Sequence, residues 1–297
     1  VSDSTAVILG AGPSGLIAAQ ACVRAGVRPE NLTVLTKFEK HWLSAEERTI
    51  FRPRKSHLFG AQYLQGQVPG VVNKPDAKIS VEFRGTVDGY REKVYGPDYV
   101  GRPFPAEFWD PHPAWDIRAV YDRLWNKFEE CIIPVEPFNR TDFGDFYDSF
   151  LKDFDVVIST IPRKTICTDP AHEFRSQVVY AIGDAPSLSR KCPIPCPPNT
   201  VIYNGSPEGS WYRVCNVFGH TTAEWSPQSL RQSTRPPYAG VAEVEKPLST
   251  NCTCWPGVAQ LGRYGKWDKH VLAHHVFDDA TQLASRAVNL GTQSSLF

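Results

Sequence analysis

Gly10-Ala-Gly12-Pro13-Ser14-Gly15 is the stretch whose residue types and spacing point most directly to chemistry. It follows the apolar run 6–9 and precedes an alanine-rich stretch, 16–25, that reads as a helix stopped by Gly26. A strand, a glycine turn and a helix start in this order make a phosphate cradle. Gly10 permits the tight turn, Gly12 lets a pyrophosphate approach the backbone, and Gly15 lets the helix pack closely on the strand. The helix N-terminus adds unpaired N–H groups and the positive end of its dipole. A dinucleotide is the ligand class implied. Residues 31–35 supply the next strand and complete a β-turn-α-β unit. In such units an acid at the end of the second strand holds the ribose hydroxyls, roughly 20 residues after the last glycine. Thr36 stands at that place here, and Glu39 follows three residues later. Either Glu39 reaches back, or Thr36 makes a weaker hydrogen bond and Glu39 is a solvated charge between Lys37 and Lys40.

A second group is Tyr203, Tyr212 and Arg213. Stretches 200–204 and 211–218 read as adjacent strands joined through Gly205-Ser-Pro-Glu-Gly209. Alternation puts Tyr203, Trp211 and Arg213 on potentially shared faces. Arg213 is suited to a carboxylate because a guanidinium binds both oxygens at once. Glu224 is a weaker member of this set. Among eight cysteines, Cys192-Pro-Ile-Pro-Cys196 and Cys252-Thr-Cys254 form two tight groups. Together they could supply four thiolates to zinc; free thiols or a disulfide are the alternatives. Arg48, Arg52, Arg54 and Lys55 form a basic cluster, and Arg263, Lys266 and Lys269 form another. Each is a solvated surface or a patch for phosphates. The aromatics between Tyr90 and Trp125 read mostly as core, with a few available to stack on a base or sugar.

These groups need elements to hold them. The chain has 297 residues, of which 41% are hydrophobic and 12% aromatic, enough to build a core. Lys plus Arg total 32 and Asp plus Glu total 32. That balance argues against coating nucleic acid or anionic membrane by bulk charge, while leaving local contact with DNA open. No apolar run approaches roughly 18 residues, so no membrane helix is expected. Residues 1–5 lack the basic-then-apolar layout of a signal peptide, and a cytoplasmic location is expected. Residues 154–162 read as a strand ending in small polar residues and proline. Residues 255–270 are rich in glycine and aromatics, and a helix is expected over 271–289 with an apolar face through Leu272, Val276, Ala280, Leu283, Ala287 and Leu290.

The pairing of GxGxxG near the start with Gly262-Arg263-Tyr264-Gly265 before the last long helix resembles the glutathione-reductase-type FAD proteins, which include amine oxidases and UDP-galactopyranose mutase. The resemblance implies FAD as cofactor, with Gly262, Arg263, Tyr264 and Gly265 against the flavin and the last helix aimed at it. It implies that 154–162, with Thr160 at its end, returns to the FAD sheet. It also implies a Tyr/Arg grip on a substrate carboxylate from a sheet over the flavin. Val179-Tyr-Ala-Ile-Gly183-Asp184 mimics a flavin motif of that superfamily but is followed by a Cys/Pro loop, so it reads as strand and turn.

The fold class implied is α/β: a Rossmann-like FAD-binding domain with a parallel sheet, interleaved with a small mixed-sheet substrate domain. Residues 1–60, 150–170 and 250–297 would form the first, and 61–149 and 171–249 the second. His57-Leu-Phe-Gly-Ala-Gln-Tyr-Leu, Asn204-Gly before Trp211-Tyr-Arg, and Gly262-Arg-Tyr-Gly-Lys-Trp before His274-His275 also resemble compact FAD proteins of bacteriophages, some implicated in thymidine hypermodification. That resemblance implies a lyase acting on glycyl-modified thymidine to leave 5-aminomethyl-deoxyuridine. A flavin mutase of nucleotide sugars and a non-enzymatic dinucleotide-binding protein are the alternatives.

Overall fold

Ala6–Leu9 forms strand β1 with every side chain buried, as a run covered on both sheet faces requires. The computed structural model describes residues 3–39, 49–50, 63–71, 74–96, 111–136, 141–183, 193–230 and 241–294. In it β1 turns directly into helix α1 (Pro13–Arg24), whose first position suits proline because that N–H would be unpaired anyway. Helix α1 leads to β2 (Leu32–Glu39), parallel to β1 with Leu9 opposite Leu35.

The chain continues through β3 (Thr49–Ile50), β4 (Tyr63–Leu64), β5 (Ala77–Gly85), α2 (Val87–Tyr95), β6 (His112–Asp116), α3 (Ile117–Phe128), β7 (Ile132–Val135), α4 (Phe143–Ser149) and β8 (Val156–Ser159). Then come α5 (Arg163–Ile166), β9 (Phe174–Gly183), β10 (Thr200–Gly205), β11 (Arg213–Val217), β12 (His220–Trp225), α6 (Pro227–Leu230), β13 (Ala242–Thr250), β14 (Ala259–Gln260), α7 (Gly262–Lys266) and α8 (His275–Ser294).

These strands form two sheets. In the first the order is β14-β8-β1-β2-β3, and β7 also pairs with β2; only β3 runs antiparallel. In the second the order is β13-β9-β12-β11-β10-β5-β6-β4, with β10 and β5 parallel and the other pairs antiparallel. This is the expected α/β architecture, a Rossmann-like parallel sheet joined to a mixed sheet. The stretch 117–149 departs from the expected division: α3 shares the core of α1 and α8, β7 extends the parallel sheet, and Phe143 of α4 packs with Val7, Leu9 and Val157. The cause is local, because amphipathic α3 packs on α1 and delivers the apolar pair Ile132-Ile133 to the edge of β2.

Helices α1, α3 and α8 share one core. Ile117, Val120, Tyr121, Leu124 and Phe128 of α3 bury the face that their spacing predicts, and Asp116 caps the helix by accepting from the Arg118 N–H at 2.9 Å. Tyr121 then donates to the Ala11 carbonyl at 3.2 Å, tying α3 to the glycine turn. Helix α8 starts at His275, four residues later than the expected 271, because 271–274 are spent on turns. It buries Val276, Ala280 and Ala284, whereas Leu290 stays exposed past the end of the core. No helix among the described residues is long and apolar enough to cross a membrane.

Candidate functional site

The turn after β1 is built as closely as the sequence predicts. Gly10 sits at φ +102°, a conformation that suits glycine, and its N–H donates to the Leu35 carbonyl at 2.7 Å. A Cβ on Gly15 would come within 1.7 Å of the Gly10 carbonyl oxygen. Gly12 is the N-cap of α1 and has no side chain to cap it, so the helix starts with N–H groups that take no cap from that position.

Two distant segments close on this turn. Thr160, just beyond β8, donates through its N–H and its hydroxyl to the Leu9 carbonyl, each at 2.9 Å. A Cβ on Gly262 would lie 2.8 Å from Ser14 Oγ, and one on Gly265 would lie 2.6 Å from the Ser159 carbonyl oxygen. The start of α8 is also here, with Val276 against Gly262. Thus Gly10, Gly12, Pro13, Ser14, Gly15, Thr160, Gly262 and Gly265 gather in one place. Ser159 is fully buried there, and its Oγ has no hydrogen-bond partner among the described residues.

Other expected cofactor residues stand further off. Thr36 is buried at the point where β2 runs beside Pro134 of β7, and β2 continues past it to Glu39. The Glu39 side chain lies outside the described residues. Tyr264 is partly exposed, and its hydroxyl donates to the Glu245 carbonyl of β13 at 2.9 Å.

The second group assembles across the mixed sheet. Tyr203 pairs with Arg213, and Arg213 pairs with Glu224, so three strands place them in one row. Glu224 is the hub, not the minor member that the sequence suggests. It is almost fully buried and pairs with the Arg213 guanidinium. It also accepts from Lys246 at 2.9 Å and from the Tyr212 hydroxyl at 2.5 Å. Tyr212 precedes the regular part of β11 and so escapes its alternation, which lets neighbours 212 and 213 reach the same carboxylate. Trp211 is the corresponding correction: it packs with Ile202 and Val214, away from Tyr203 and Tyr212. Tyr90 braces the tyrosines, with ring centroids 5.4 Å from Tyr203 and 5.9 Å from Tyr212.

Burial alone would push the Glu224 carboxyl up. The Arg213 and Lys246 charges and the Tyr212 hydrogen bond reverse this and hold it at about 2. Burial pushes Lys246 the other way; Glu224 restores part of the loss, Arg213 and Arg263 oppose it, and the amine ends at about 8. Burial, then the charge of Arg213, lowers Arg263. Burial, then Glu224, raises Tyr212 well above its ordinary value, and burial raises Tyr203. Both phenols therefore stay protonated at neutral pH. Helix α7 links the two groups: Gly262 rests on Ser14 while Arg263, the next residue, feels the charges of Arg213 and Glu224.

Comparison with solved structures bears on this arrangement. A reduced UDP-galactopyranose mutase aligns with a TM-score of 0.53 at 13% identity, over 98% of this chain and 95% of that one. The chain shares that fold. CtdE in complex with FAD aligns at 0.48 and 10% identity over 98% and 85% of the two chains. The p-nitrophenol 4-monooxygenase of Pseudomonas putida DLL-E4 aligns at 0.48 and 11% over 98% and 81%. No protein-family profile and no curated protein sequence matches the chain.

Two expectations change, and a third lies outside the described residues. Arg48, Arg52, Arg54 and Lys55 lie outside the described residues, as does His57. In the other basic cluster, Lys266 pairs with Asp279 at 2.6 Å and Lys269 lies over the Tyr95 ring, so these cations are engaged within the fold. Cys192 is outside the described residues, and Cys196 donates to the Thr200 carbonyl beside the mixed sheet. Cys252 and Cys254 meet Cys167 and His172 instead. Sequence reasoning missed Lys246, whose alternating strand carries no mark of function, and His172, although Cys167 and His172 stand at ligand-like spacing.

Proposed function

We propose that the protein is an FAD-dependent enzyme that oxidises a C–N bond in an amino-acid-like group, and more finely a lyase of glycyl-modified thymidine in phage DNA. The residues fit the cofactor. The clashes that a Cβ would meet at Gly10, Gly15, Gly262 and Gly265 describe a cradle that tolerates only backbone, and the uncapped α1 start and the orphaned Ser159 Oγ supply polar groups. Thr36 or Glu39 would hold the ribose, with Arg263 and Tyr264 toward the flavin. FAD, when bound, supplies a two-electron acceptor for the substrate's Cα–H bond.

The observation that carries the substrate class is the charge of the cluster beside α7. Arg213 and Lys246 both pair with one carboxylate, Glu224, and Arg263 lies near enough to feel the charges of Arg213 and Glu224, leaving an excess of positive charge. An anionic substrate group balances that excess. Arg213 and Lys246 bind the glycyl carboxylate, and Glu224 fixes where both cations point. Tyr203 and Tyr212, held protonated, donate hydrogen bonds and do not act as bases. Fixing the carboxylate orients the α-carbon, and burial limits water during oxidation. Hydrolysis of the resulting substrate imine releases glyoxylate and leaves the free amine on the thymidine methyl carbon. A base in duplex DNA would be flipped out to reach the site.

The test uses purified protein, an oligonucleotide bearing glycyl-modified thymidine, and free amino acids, without NADPH and without oxygen. Bleaching of the flavin, with glyoxylate and amine seen by mass analysis, is expected. Bleaching by NADPH alone sinks the oxidation, and interconversion of a UDP-sugar by the reduced protein supports the mutase reading in its place. Arg213→Gln should raise KM about ten- to a hundredfold, the range for a lost hydrogen bond to a charged group. The pH profile gives a separate check. Lys246 is charged below about 8 and neutral above it, so carboxylate affinity should fall as pH rises through about 8. Lys246→Arg should move that fall out of the measured range. An unchanged profile would remove Lys246 from substrate binding.

A further inference from the structure

We propose that Cys167, His172, Cys252 and Cys254 bind one structural zinc ion. Their ligand atoms all lie within 4.8 Å of one another. Cys167 Sγ is 3.9 Å from Cys254 Sγ, and His172 Nδ1 is 3.4 Å from the first sulfur and 3.5 Å from the second. A tetrahedral zinc with Zn–S near 2.3 Å and Zn–N near 2.0–2.1 Å sets its sulfurs about 3.8 Å apart and its sulfur–nitrogen pairs about 3.6 Å apart. The spacings among Cys167, His172 and Cys254 are therefore those of one face of a zinc tetrahedron, and Cys252 Sγ lies within 4.8 Å of all three as the fourth ligand. None of the three cysteines is in a disulfide, two of them are buried, and four protein ligands close the coordination sphere as in a structural site.

The surroundings support the same ligand set. Asp169 Oδ2 lies 3.7 Å from His172 Nε2, on the side of the ring away from the sulfurs. The carboxylate is at ion-pair distance from the far ring nitrogen while Nδ1 faces the sulfurs, and a small approach would make it the outer partner common at zinc histidines. The other Asp169 oxygen accepts from the Ala171 N–H at 2.8 Å, so the carboxylate is itself held. Three thiolates and one zinc ion carry a net charge of minus one. Arg163 stands beside them, donating to the Cys254 carbonyl at 3.4 Å.

The position in the chain gives the site its consequence. The backbone passes from the parallel to the mixed sheet between β8 and β9, and that passage carries Cys167 and His172. It returns between β13 and β14, and that passage carries Cys252 and Cys254. Without metal the two passages touch through a few hydrogen bonds, including Glu173 N–H to Asn251 Oδ1 at 2.8 Å and Thr250 hydroxyl to the Glu173 carbonyl at 2.7 Å. Zinc would staple them, fixing how the mixed sheet meets α7. Binding to the folded chain alone adds directly to its stability.

The experiment is metal analysis by mass spectrometry on the full chain purified without chelator, with zinc and flavin scored separately so that loss of one does not depend on the other. One zinc per chain is expected, released when the thiols are titrated with a mercurial. His172→Ala and Cys254→Ser should lose it, His172→Cys should keep it as a four-thiolate site, and Cys196→Ser should keep it as a control. Asp169→Asn should weaken zinc about 10- to 100-fold, the range for an outer partner of a ligand. If the ligand variants fail to fold, cobalt replacement in the unsubstituted protein should give the visible bands of a tetrahedral thiolate site. Absence of stoichiometric metal, iron in place of zinc, a Cys167–Cys254 disulfide, or zinc retained by both His172→Ala and Cys254→Ser would each overturn the proposal.

Discussion

Gly15→Ala is expected to give a folded but colourless protein. The added methyl would lie 1.7 Å from the Gly10 carbonyl oxygen, a backbone atom that cannot rotate aside. Gly10 cannot simply withdraw, because its N–H is bonded to Leu35 on one side and Thr160 closes on Leu9 on the other. The start of α1 must move outward instead, carrying its uncapped N–H groups off the position a pyrophosphate needs. Overpacking of this kind costs about 1–3 kcal/mol of stability. Each hydrogen bond to a charged group is worth about 1.5–3 kcal/mol, so losing two weakens FAD by about a hundredfold or more. Flavin absorbance per protein, read beside circular dichroism, checks both parts. Full flavin content in this variant would show that the turn does not cradle the cofactor.

Glu224→Gln is expected to cost about 3–5 kcal/mol, the range for breaking a buried ion pair by removing one partner. The substitution keeps the size of the side chain but leaves Arg213 and Lys246 facing each other without a counter-charge. Lys246 should then titrate below about 8, since Glu224 is the neighbour that raises it. The same carboxylate predicts a pH dependence. Its folded value of about 2 lies below the ordinary 4.5, so its stabilisation is present above about 4.5 and is lost as pH falls through about 2. Urea unfolding across that window should show a decline in the unsubstituted protein and a flatter curve in Glu224→Gln. Equal stability of the two at pH 7 would mean that the cluster is not the electrostatic hub described here.

The contrast between these two substitutions explains how far sequence reasoning reached. The cradle around Gly15 is made by neighbours along the chain. A buried strand, a tight turn and a helix start are local structures, and their periodicity and glycine spacing are written in about twenty consecutive residues. For the same reason 154–162 and α8 were legible as elements, whereas 262–265, read as a turn, forms the short helix α7. The hub at Glu224 is made by pairing register. Which residue of β12 faces Arg213 depends on how two strands align, and a shift by one residue would turn every side chain to the other face. Trp211 was misplaced for this reason, since alternation was applied where the ladder is irregular.

The sequence by itself therefore determined the β-turn-α-β unit and its phosphate-type turn, because both rest on short-range steric rules, while the α/β fold class as a whole was read from a resemblance. Only the tertiary structure decided which charges gather at Glu224 and which cysteines lie together. Cys254 meets Cys167 across 87 positions and His172 across 82. Spacing along the chain favoured Cys192 and Cys196 as partners. Two of the crossings between sheets, β8 to β9 and β13 to β14, bring Cys167 and His172 to Cys254 instead, because ligand geometry is set by distances in space that no local pattern encodes.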